Sequence, residues 1–177
     1  YIMAKKQTNL VKSIILIVLG VVSILAFFVT PFFKATSEGM GQTDTANFNM
    51  FGVNKEDDYT TKMKTVLDSL DKSNAYTAFN LVKIFSIVAI VLLLAIAVFE
   101  ILKFAKIDLG KIEVFLGYAL LLVTLLVLVF AIAFFCGSTY KKSTIGLDVK
   151  FFFSTGISFY FVLVPGFASG AIVSLAK

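Results

Sequence analysis

The sequence predicts an all-α membrane protein, a four-transmembrane-helix antiparallel bundle with one outer loop of about 40 residues. Three observations predict it. Hydrophobic residues make up 59% of the 177, and the mean hydropathy is +0.95, whereas soluble domains lie nearer about 45–50% apolar. The excess sits in four long runs, each holding the roughly 20 residues that cross about 30 Å of hydrocarbon. The turn between the second and third runs is short, which forces those two to be antiparallel neighbours.

The chain begins Tyr1-Ile2-Met3-Ala4-Lys5-Lys6, and Met3 is expected to be the natural start. Span one covers residues 10–33, interrupted by Lys12 and Ser13. It is too long for a secretory signal core and no small-x-small cleavage site follows, so a retained anchor is expected. Gly20 offers a close-contact point, and Pro31 marks the exit. Residues 34–74 form the outer loop. Its first half is rich in Gly, Ser, Thr and Asn, with a short strand signal where Ala46, Phe48 and Met50 alternate with Asn47 and Asn49. Its second half reads as an amphipathic helix capped by Asn54, with Met63, Val66, Leu67 and Leu70 on one stripe. Phe48, Met50, Phe51, Met63, Leu67 and Leu70 are therefore the candidates for outer-loop contacts. Span two covers residues 75–104, span three 112–136 and span four 151–176, with a second short outer loop at 137–150. The whole is one membrane domain.

Lysine density orients the bundle. Lys5, Lys6, Lys12, Lys103, Lys106, Lys111 and Lys177 crowd one side in short segments; on the other, acids such as Glu38, Asp44 and Glu56 accompany the lysines. Lys141, Lys142 and Lys150 argue the other way. Both termini are expected in the cytoplasm. All sixteen basic residues are lysine, and Phe and Ile are abundant, a bias that points to an AT-rich bacterial genome.

Span four carries the clearest packing motif. Gly166, Gly170 and Ser174 are spaced four apart, which makes one smooth stripe on a helix, and Pro165 removes a backbone hydrogen bond just before it. With Gly20 these are the candidate helix-packing residues. Aromatic residues crowd the outer ends of the spans, among them Phe27, Phe32, Phe33, Phe79, Phe134 and Phe159, whereas small residues gather at the inner ends. The bundle is expected to be narrow inside and wide outside. Two readings of the wide end stay open, an aromatic belt at the interface or an outward-opening apolar cleft for lipid or a partner.

The absences restrict chemistry. The chain has no His, Arg or Trp and a single cysteine, Cys136. That removes the imidazole base, the bidentate anion clamp, an internal disulfide and a Cys-rich metal site. Neither a P-loop nor a dinucleotide fingerprint occurs, so no enzyme, cofactor, metal or nucleic acid is expected, and the sequence identifies no small-molecule substrate. One ionisable pair stands out. Glu100 follows sixteen largely apolar residues, with Lys103 one turn on, and the two are candidates for an ion pair or a transport role. An interfacial position, where the carboxylate reaches water, is the simpler expectation. Lys83 with Asn80 is read as snorkelling, and Asp108 and Glu113 as a solvated turn beside Lys111.

A first outer loop of about forty residues, a strand signal at Ala46–Met50, a helix before span two and a short second loop resemble the claudin and PMP22 tetraspan group. The resemblance is one of arrangement. The family's first-loop Trp, Gly-Leu-Trp and paired Cys have no counterpart here, so no residue role carries over. It implies lateral self-association and contacts made by outer loops. The expected function is a structural or assembly protein whose partners are membrane lipid and either further copies or other membrane subunits. An oligomeric channel or small transporter, and an accessory subunit of a larger complex, are the alternatives.

Overall fold

Each apolar run folds as a helix in the computed structural model, which describes residues 2–39, 42–48, 73–107, 111–144 and 147–175. Helices α1 (Ile2–Val29), α2 (Ser73–Phe104), α3 (Lys111–Ser138) and α4 (Ile157–Leu175) are joined in up-down order. All four are long and apolar enough to cross a membrane. They close a ring in which α1 touches α2 and α4, and α3 touches α2 and α4. The start of α1, the α2–α3 turn and the end of α4 share one end of the bundle, the turn end.

The opposite end carries a four-stranded antiparallel sheet in the order β2-β1-β4-β3, formed by β1 (Phe33–Gly39), β2 (Gln42–Phe48), β3 (Tyr140–Thr144) and β4 (Leu147–Thr155). The expectation of an all-α chain with one short strand is corrected here: the α1–α2 and α3–α4 connections both contribute strands, and these pair with each other. β1 pairs with β2 from Phe33↔Phe48 to Gly39↔Gln42, and with β4 from Phe33↔Thr155 to Glu38↔Lys150. The residues assigned to the start of span four are also corrected. Phe151, Phe152 and Phe153 belong to β4, and α4 begins only at Ile157. A run of phenylalanines raises hydropathy as a span does, yet Phe is also a strand former. Residues 137–150, expected as a plain loop, hold the end of α3, all of β3 and the start of β4. Of the outer-loop candidates, Phe48 ends β2, while Met50, Phe51, Met63, Leu67 and Leu70 and the expected amphipathic helix lie outside the described residues.

The α1–β1 and β4–α4 corners lock together. The Gly156 amide donates to the Phe32 carbonyl at 2.8 Å, and the Ser158 amide to that of Pro31 at 3.2 Å. A Cβ on Gly156 would lie 2.0 Å from the Pro31 carbonyl oxygen, so only glycine lets the two backbones approach this closely. The Ser158 hydroxyl, fully buried, reaches the Ala26 and Thr30 carbonyls at 2.8 and 2.6 Å and the Thr30 hydroxyl at 2.6 Å.

Beneath the sheet the outer aromatics pack against one another. Phe33 is fully buried, with its ring centroid 4.9 Å from that of Phe32, 5.1 Å from Phe134, 6.0 Å from Phe79 and 6.1 Å from Phe159. Phe153, opposite Ala35 in the sheet, reaches Phe134 at 4.8 Å. The space that the cleft alternative would leave open is thus filled by the protein's own rings, in the tilted and edge-on geometries that aromatic quadrupoles favour. At 32 residues α2 is the longest helix, about 48 Å against about 30 Å of hydrocarbon. The surplus lies at the sheet end, where its exposed residues are Asn74 and Thr77; exposed large apolar side chains start at Ile84.

Candidate functional site

Small residues set the separation of the helices in the turn-end half. A Cβ on Gly166 would sit 2.5 Å from the Thr124 hydroxyl oxygen, one on Gly170 2.7 Å from Leu121 Cγ, and one on Gly117 2.9 Å from the Ser174 amide nitrogen. The span-four stripe is therefore covered by α3 of the same chain. Gly20 performs the same task between α1 and α2, where a Cβ would meet Ala97 Cβ at 3.0 Å and the Leu93 carbonyl oxygen at 3.3 Å. Pro165 is buried, and α4 runs through it without interruption.

Beside that tight packing lie four charges, two buried carboxylates and two half-buried ammoniums. Glu100 in α2 is fully buried, although Ile101 and Phe104 beside it are exposed. Its carboxylate is therefore shielded inside the bundle, not set at a watery surface as the sequence suggested. Ser13 of α1 donates to Glu100 Oε2 at 2.5 Å, and Lys103 donates to Oε1 at 3.0 Å. Lys103 also pairs with Glu113 of α3, whose other oxygen, Oε1, lies 3.5 Å from Lys12 Nζ. Lys12 and Ser13 are neighbours on α1, so the contacts form a closed circuit through three helices. Two lysines balance two glutamates, and both Glu100 oxygens have a donor.

The circuit is partly what the sequence proposed and partly not. The Glu100–Lys103 pair follows from helical spacing. Glu113 does not: read as a solvated turn residue, it is buried. Ser13 appeared only as an interruption of span one and Lys12 as that and as an orienting lysine, and the interruption was the available signal, since a polar pair inside an apolar run must find partners. Lys83 and Asn80 are half-buried, and Cys136 is exposed on α3 near the sheet end. Ser86, Ser138 and Ser169 are buried without a hydrogen-bond partner among the described residues. No group of His, Cys, Asp and Glu suited to a metal occurs among the described residues.

Chemically, the circuit can do two things. It can hold α1, α2 and α3 in one register, because separating any member strands a charge in a medium that solvates it poorly. It can also hold a proton or cation at the Glu100 and Glu113 carboxylates if Lys103 moves aside. Neither protein-family models, nor curated proteins, nor solved structures give a match to this chain.

Proposed function

We propose that the protein is an integral membrane structural or assembly protein that associates with further copies or with other membrane subunits. The closed interior carries this reading. From the turn end to the sheet end the middle of the bundle is occupied in turn by the charge circuit, the small-residue seam and the ring cluster. That leaves the surface as the place of action. Because α4 commits its small stripe to α3, its share of a partner contact falls to Tyr160, Val164 and Leu175, which are exposed. A likeness of arrangement to claudin and PMP22 tetraspans belongs to this reading, supported by a bundle whose first and third connections meet in one sheet.

The buried Glu100 favours a second reading, an oligomeric channel or small transporter in which this carboxylate exchanges a proton or cation and the pathway runs between subunits. Flux measurements in liposomes with the purified protein, together with its mass in native lipid, separate the two. Assembly predicts a multi-copy or mixed complex without flux; flux abolished by Glu100→Gln would replace it with the transport reading. A mixed complex alone would mark an accessory subunit.

The cell envelope expected is a bacterial plasma membrane with both termini in the cytoplasm, supported by Lys12, Lys103, Lys106 and Lys111 at the turn end. Cys136 tests it. In intact cells a membrane-impermeant thiol reagent should label this exposed cysteine near the sheet end, and labelling only after lysis would reverse the orientation.

A further inference from the structure

The charge circuit uses Lys12 and Lys103, two of the seven lysines at the turn end, and two of the others stand in the α2–α3 connection. Lys106 and Lys111 flank the α2–α3 turn, are exposed, and have no ion-pair partner among the described residues. Large apolar side chains lie next to them in the chain: Phe104, Ile107 and Ile112 are 53%, 46% and 53% exposed. Ammonium groups alternating with bare apolar side chains suit neither water nor hydrocarbon alone. They suit the boundary between the two, where the apolar groups enter the acyl region and the cations stay at phosphate depth.

The backbone adds a second observation. Lys106 has φ of 64°, the only positive value at a non-glycine residue among those described. The Lys106 amide donates to the Lys103 carbonyl at 3.0 Å, and the Ile107 amide reaches back to that of Leu102 at 3.2 Å. This pair of bonds is the Schellman closure of a helix, with Lys106 at the position that glycine ordinarily takes. The lysine side chain thus stands at a backbone position that carries a steric cost for every residue but glycine.

We propose that the α2–α3 turn binds the headgroups of anionic phospholipids, with the Lys106 and Lys111 ammoniums holding the phosphodiester and Phe104, Ile107 and Ile112 lying among the acyl chains. Charge complementarity selects the occupant: the circuit is neutral, and the other charged side chains at this end, Lys5, Lys6, Lys106, Lys111 and Lys177 against Asp108, are net positive. The inference needs only the membrane spans and is independent of the assembly reading.

Native mass spectrometry of the detergent-solubilised protein, with phosphatidylglycerol and phosphatidylcholine supplied in equal amounts, tests it. Phosphatidylglycerol should be retained about 25-fold over phosphatidylcholine, at about fivefold per lysine. The double variant Lys106→Gln, Lys111→Gln should lose that preference. Lys106→Gly should lower it about fivefold while leaving thermal stability unchanged or higher, because glycine relaxes the left-handed turn. Lys150→Gln, a sheet-end change paired with Glu38, should leave it intact. Equal retention of the two lipids, retention unaltered in the double variant, or an equal loss in Lys150→Gln would each overturn the proposal.

Discussion

The two ends of the bundle solve the same problem with opposite materials. At the turn end three helices are tied by Lys12, Ser13, Glu100, Lys103 and Glu113, with glycine letting the backbones close beside the charges. At the sheet end the ties are rings, a four-stranded sheet and the Gly156 corner. Charges are specific but costly to bury, and their net worth against an apolar replacement is close to nothing. Rings contribute through buried area and geometry. The turn end therefore serves register, and the sheet end supplies most of the stability.

That division can be broken from either side. The largest effect belongs to Gly156→Ala, whose methyl group would meet the Pro31 carbonyl with backbone on both sides. A loss of about 4 kcal/mol or more is expected in denaturation by SDS titration, and a loss below about 1 kcal/mol would mean the corner is free to open. Next comes Lys103→Met, which leaves two buried carboxylates facing one another without their shared cation. It should cost about 3 kcal/mol by the same titration. The smallest effect sharpens the comparison most. Replacing the whole circuit at once, Lys12→Met, Glu100→Leu, Lys103→Met and Glu113→Leu, should return stability to within about 1 kcal/mol of the starting protein. A quadruple variant as unstable as Lys103→Met would show that the charges stabilise the bundle outright.

The sequence made the spans legible because length and hydropathy alone decide whether a helix can cross a bilayer. It also made legible that Glu100 and Lys103 would meet, since they lie one turn apart on one helix. Ser13 is another matter: it is 87 residues from Glu100, and nothing local encodes that contact. The sheet was hidden for a different reason. β1 reads Phe-Lys-Ala-Thr-Ser-Glu-Gly, without a clean alternation, and its pairing partner β4 carries three consecutive phenylalanines that merge with span four. Gly156 was the one mark of the boundary, and a single glycine in an apolar run has many readings. The span-four stripe was visible as a contact surface, but whether α3 or another copy would cover it is a tertiary fact.

The overhang of α2 bears on how the protein responds to cold. Its first ten residues carry Ala75, Ala78, Phe79 and Val82 into the ring cluster, beyond the level where lipid-facing side chains begin. A core there is held by the expulsion of water, a drive that weakens as temperature falls. The glycine seam further down has lipid as its alternative environment and is held by close packing, which has no such dependence. Chilling should therefore loosen the sheet from the bundle while the helices below remain in register, so that one chain has a thermally soft head on a thermally indifferent stem.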